Sequence, residues 1–84
     1  MILNVYAIRD VKVGYMTPTF DQSDATATRN FGYAVSHFSN NLMTYAPEDF
    51  DLYRIGKFDT DAGKLLPLDA PVFVAAGADF DISK

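Results

Sequence analysis

The stretch DLYRIGKFDTDAGKLLPL, Asp51 to Leu68, constrains the chain more than any other, because it sets a strand, a turn and a second strand side by side. LYRIGKF is rich in strand-forming residues. DTDAG supplies turn chemistry, with Gly63 free to take φ > 0, and KLLPL resumes an apolar run. The same aspartates raise the question of a calcium loop, which needs oxygen ligands at alternating positions, a glycine at the sixth and a bidentate glutamate at the twelfth. Counted from Asp59, the third position is Asp61, but the fifth is Gly63, the sixth is Lys64 and the twelfth is Ala70. A metal reading wastes most of these residues and a hairpin uses all of them. The segment is therefore read as two strands, about Asp51 to Phe58 and Lys64 to Leu68, with no metal site.

The rest of the chain supplies what such a hairpin can pack against. Leu3 to Arg9 alternates Leu3, Val5 and Ala7 with Asn4, Tyr6 and Ile8, the period of a strand with one apolar and one mixed face. VKVGYMTPTF, Val11 to Phe20, suggests a second strand interrupted around Pro18; proline cannot donate to a ladder, which assigns it to an edge. One helix is expected, about Ser23 to Phe38. Asp21 or Ser23 caps it, Asp24 favours its first turn, and Ala27, Phe31, Ala34, Val35 and Phe38 form one apolar stripe. Gly32 weakens this helix by roughly 1 kcal/mol relative to alanine, and its small size suits the close approach of another backbone. Ser39 to Asp49 reads as a loop with Leu42, Met43 and Tyr45 tucked beneath it. Val72 to Val74 adds a short extended piece before a tail, about residues 76–84, that is acidic and expected to fray. The order strand, strand, helix, strand, strand defines an α+β fold, a small antiparallel sheet of about four strands with one helix on one face.

A chain of 84 residues has room for a single domain, residues 1–84, and buries only roughly 60% of the surface its unfolded form exposes. With no cysteine there is no disulfide, thiolate cluster or thiol nucleophile to help that small core, so association with a second copy is the expected aid. A homodimer follows as an expectation. The absence of cysteine fits a cytosolic protein. No stretch approaches the ~20 apolar residues of a membrane span, and no basic region precedes an apolar run at the N-terminus, so the expectation is a soluble, unprocessed chain without membrane contact.

Catalytic patterns are weak. His37, the sole histidine, stands near the helix C-terminus, where an imidazolium meets the last carbonyls favourably, and no nucleophile and orienting acid accompany it. Asp49/Asp51, Asp59/Asp61 and Asp79/Asp81 are pairs of carboxylates, but each lies in a loop or tail where solvation leaves nothing to raise a pKa. No phosphate-binding glycine loop, zinc motif or dinucleotide fingerprint is present. The chain reads as a non-enzyme without cofactor. Rings beside cations are the more informative pattern. Tyr6 with Arg9, and Tyr53 with Arg54 and Lys57, set on two strands the groups with which a sheet stacks bases and holds a phosphate backbone, and Lys12 is a further candidate cation. The net charge of −4, from 7 basic and 11 acidic residues, restricts any such contact to a local patch.

VYAIRDVKVGYMTPTFDQSDATATRNF, with Tyr-x-Ile-x-Asp at its start and Pro-x-Phe before a capped helix, followed by PEDFDLYRIGKFDTDAGKL, resembles the small nonstructural protein of gokushovirus-type microviruses. These are phages with small circular single-stranded DNA genomes. The resemblance runs from Val5 to about Leu68, and DLYRIGKFDTDAG is its most specific part. It implies an accessory protein of the host bacterial cytoplasm that binds single-stranded DNA and supports replication or the shift to packaging. It assigns no residue a role, so Tyr6, Arg9, Lys12, Tyr53, Arg54 and Lys57 rest on their chemistry alone. A dimeric interaction module that engages a viral or host replication, packaging or capsid protein, with little DNA binding, is the alternative.

Overall fold

The computed structural model describes residues 1–37 and 42–81. Its centre is β1 (Ile2–Asp10), whose alternation serves both faces of a sheet. The Asp10 carboxylate accepts the Lys12 amide at 2.9 Å and turns the chain back, so Val11 to Val13 form a turn where a strand was expected. The second strand is divided as its proline suggested, into β2 (Gly14–Tyr15) and β3 (Thr19–Asp21), which pair with opposite ends of the same edge of β1. Between them the Met16 amide donates to the Ile8 carbonyl at 2.8 Å.

Helix α1 (Asp24–His37) follows, and Ser23 is its cap: Ser23 Oγ accepts the Thr26 amide at 3.2 Å. Asp21 Oδ2 instead accepts a hydrogen bond from the Asn30 side-chain Nδ2 at 3.0 Å, tying the helix to the end of β3. Ala27, Phe31 and Val35 are buried on the sheet-facing side, as their spacing predicted, while Phe38 lies outside the described residues. A one-turn helix α2 (Leu42–Tyr45) and a 3₁₀ turn, Pro47–Asp49, lead to the hairpin. Of the three side chains expected beneath this connection only Met43 packs on the core; Leu42 and Tyr45 are exposed, because a single turn has one face to bury.

The hairpin is β4 (Phe50–Asp59) and β5 (Lys64–Ala76). At its tip Asp59 Oδ1 accepts the amides of Asp61 and Ala62 at 2.9 and 3.2 Å, and the Gly63 amide closes on the Asp59 carbonyl at 2.8 Å. Gly63 has φ 65°, where a side chain would be strained. The carboxylate that resembled a calcium ligand thus holds a turn. β5 does not stop at Leu68: Gly56 pairs with Pro67 and Arg54 with Val72, so Leu68 to Pro71 bulge out opposite Ile55 and the ladder resumes through Ala76. The sheet order is β2-β1-β4-β5, all antiparallel, with β3 also on β1.

Tyr6, Ala27, Phe31, Val35, Phe50, Leu52 and Ala75 form the core between α1 and one face of the sheet. Contrary to the frayed tail read from the sequence, Gly77–Phe80 winds into a 3₁₀ turn and Phe80 joins this core, its ring edge-on to Phe31 with centroids 6.0 Å apart. Asp79 is exposed while the one large apolar side chain of the turn anchors it, and residues 82–84 lie outside the described part. Gly32 is the seat of that anchor: a Cβ there would stand 2.6 Å from two atoms of the Phe80 ring. A side chain, not a backbone, uses the space.

Phe31→Ala is expected to cost about 3 kcal/mol or more, since it empties the centre of a small core and removes the ring against which Phe80 rests. A thermal melt of the variant checks this, and an unchanged midpoint would show that the helix does not pack by this stripe.

Candidate nucleic-acid interface

Strand alternation separates the six residues that the sequence set together. Tyr6 and Arg54 turn toward the helix. Tyr6 is fully buried and its hydroxyl donates to Asp24 Oδ1 at 2.6 Å, while the Asn4 side-chain amide donates to the same hydroxyl at 3.1 Å. The Arg54 guanidinium donates to Asp24 Oδ2 at 2.7 Å. Tyr6 is therefore no stacking group, because no base reaches a ring with no exposed surface, and Arg54 already has an anion. Asp24 opens α1, so its two oxygens clamp the helix N-terminus to β1 through Tyr6 and to β4 through Arg54.

The electrostatics of this clamp follow from its contacts. Burial first, and the hydrogen bond to Asp24 second, push the Tyr6 phenol up to about 12. The Tyr6 hydroxyl, and with it the Arg54 guanidinium, hold the Asp24 carboxyl below its ordinary range against the opposing effect of partial burial.

On the opposite, outer face Tyr53 stands between two rings that the sequence reading missed. Tyr15 meets it edge-on with centroids 5.6 Å apart, and Phe73 does so at 5.8 Å. The row crosses the sheet from β2 to β5. Tyr15 and Phe73 are each about half exposed, at 47% and 55%. Arg9 belongs to this face, paired in register with Tyr15 on one side and with Asp51 on the other. Lys12 is exposed in the turn between β1 and β2, close in sequence to both. Lys57 is exposed further along β4, opposite Asn4, on the side to which Asn4 and Tyr6 point. Of the six residues, Arg9 and Tyr53 share the outer face, Lys12 borders it, and Tyr6, Arg54 and Lys57 do not belong to it. Tyr15 was hidden by Gly14 and Pro18, which break the alternation around it. Phe73 was hidden by the bulge that carries β5 beyond Leu68.

Among the described residues no three potential metal ligands converge, and no helix is long and apolar enough to cross a membrane. The site is a row of rings on an open antiparallel sheet, with a cation at one end.

Comparison with known families identifies the class as a small α+β phage protein of the microvirus type. The chain belongs to the phage ORF5 protein family, whose model matches residues 3–80. Over 40 residues it is 42% identical to "Protein ORF5" of Chlamydia phage 1, a match that covers 48% of this chain and 42% of that protein. The matched part thus spans less than half the length of this curated relative. No solved structure matches the chain.

The clamp sets two pH dependences. A carboxyl whose folded pKa is lowered stabilises above its unfolded pKa near 4, and that stability is lost as pH falls through the folded value. Asp24→Asn is expected to cost on the order of 1 kcal/mol at neutral pH, a modest figure because the carboxylate is partly exposed, and its deficit against the parent should shrink below about pH 4. A phenol whose folded pKa is raised stabilises below its unfolded pKa near 10, and that stability is lost as pH rises toward about 12. Urea melts across pH of the parent, Asp24→Asn and Tyr6→Phe check both signs, since Tyr6→Phe should lack the alkaline loss.

Proposed function

We propose that the chain is a non-catalytic phage protein that binds single-stranded DNA in the host bacterial cytoplasm, in support of genome replication or the switch to packaging. The observation that carries this reading is the ring row Tyr15, Tyr53 and Phe73 beside Arg9, on a sheet face that the helix leaves uncovered. Exposed rings on an open sheet stack unpaired bases without reading their sequence, and neighbouring cations hold the phosphates. Arg9 and Lys12 serve that role, whereas Lys57 points to the other side of the sheet. Tyr6 and Arg54 leave the proposed site, one buried and one paired with Asp24. Family membership adds weight, since the phages that the quoted segments resemble carry single-stranded genomes.

A dimeric interaction module that engages a viral or host replication or capsid protein is the second reading. The exposed apolar residues elsewhere on the same face, among them Phe20 and Leu65, favour it.

Fluorescence anisotropy with a labelled single-stranded oligonucleotide, at low and moderate salt, separates the two. Binding is expected to be modest and to fall along a shallow salt slope, because few phosphates are neutralised per chain. Phe73→Ala and Tyr53→Ala should weaken it at every salt concentration, by roughly 1 to 3 kcal/mol per base no longer stacked. Arg9→Ala should weaken it and flatten the slope by about 0.7. An absence of binding at low salt would overturn the DNA reading and leave the interaction module.

A further inference from the structure

The outer face has a second half, distinct from the ring row and nearer the hairpin tip. Val5 and Ala7 are 5% and 1% exposed yet belong to no helix-side cluster, so the outer face has side chains of its own above them. Above Ala7 and its register partner Tyr53 stands the ring row. Around Val5 and its register partner Gly56 there is instead an open trough of about 350 Å³, whose exposed lining is almost wholly apolar and includes Val5, Pro18, Phe20, Leu65 and Pro67, with Lys57 also at its wall. Its borders stand up and its floor is low. Phe20, braced edge-on by Phe58 at 5.4 Å, is 48% exposed on one side, and Leu65 is 61% exposed on the other.

We infer that this trough is the contact surface of a homodimer, filled by the Phe20 and Leu65 side chains of a second copy of this chain. Three observations select that occupant. A twofold contact is made by one patch against itself, so it needs projections and a hollow on the same patch, and Phe20 and Leu65 beside the glycine-floored trough supply both. The size is suitable: a half-exposed aromatic ring offers roughly 100 Å², and with Leu65 and the prolines Pro18 and Pro67 the apolar part is on the order of 300 Å². With a polar rim that approaches the roughly 600 Å² per partner at which specific interfaces begin. The neighbouring edge disfavours the other common geometry, since Pro67 and Pro71 each lack a backbone donor and the chain of β5 bulges between them. The copies therefore meet face to face, not edge to edge. This contact does not depend on DNA binding, because the ring row lies outside the trough.

Sedimentation equilibrium of the full chain at micromolar concentration tests the proposal. The expected result is a reversible species of twice the 9.3 kDa chain mass. Leu65→Asp should raise its dissociation constant roughly tenfold or more, because a charge is driven into an apolar contact, whereas Tyr45→Asp, at a highly exposed position away from this face, should leave it unchanged. Circular dichroism of both variants establishes that the monomer is folded, as exposed positions allow. A folded parent that sediments at the mass of one chain overturns the proposal. A dimer indifferent to Leu65→Asp and Phe20→Ala overturns it equally, by placing the contact elsewhere.

Discussion

One helix covers one face of a sheet, and here it covers only part of that face. A 14-residue helix is about 21 Å long, half of the 43 Å that the molecule measures along its longest axis. The core forms where the two overlap, over Tyr6 and Ile8 of β1 and over Phe50 and Leu52 of β4. Beyond that overlap the hairpin runs on with most of β5 exposed. Among the described residues the outer face receives no covering element, so its apolar residues shield one another as far as they can. Tyr15, Tyr53 and Phe73 do so as rings in edge contact, and Phe20 with Phe58 as a second pair. What the chain offers to partners is thus the remainder left by its own packing.

The position of the helix depends on Asp24. Apolar contacts of Ala27, Phe31 and Val35 favour burial of a stripe but set no exact height along the strands, whereas two charge-assisted hydrogen bonds from one carboxylate to two strands do. The other end of the helix is fixed differently, by the Phe80 ring lying on Gly32. The C-terminal turn is for that reason a structural part of the domain, and a glycine that weakens the helix in isolation strengthens its attachment.

How far the sequence revealed this depended on whether a feature was local. The hairpin turn was legible because Asp59 and Gly63 act on their own neighbours, and the helix because its stripe recurs within its own length. The division of the second strand was legible in Pro18. The reach of β5 was not, because the bulge at Leu68 to Pro71 is made by pairing with β4 and resembles a loop when read alone. The buried role of Tyr6 was invisible for a related reason: its partner Asp24 is distant in sequence, and nothing in a strand's alternation tells which face meets the helix. Tyr6 and Arg9 were read as neighbours on one surface, but an odd separation on a regular strand puts them on opposite faces. That error could have been avoided from spacing alone.

The acidic balance of the chain and its ring row are consistent with one another. Arg54 is neutralised by Asp24, and 11 acidic residues outnumber the 7 basic ones, so little unopposed positive charge is available. A surface so matched attracts a polyanion weakly at long range, and an unmatched basic groove would do so strongly. Aromatic rings make no such demand: stacking draws on dispersion and on apolar area removed from water, and salt leaves both nearly untouched. Bases that are unpaired present faces to such a row, whereas a duplex keeps them inside. On the proposed reading the same arrangement would disfavour double-stranded DNA, for which phosphate attraction would have to supply most of the affinity. Selectivity for single strands would arise here from a shortage of free cations together with a surplus of exposed rings.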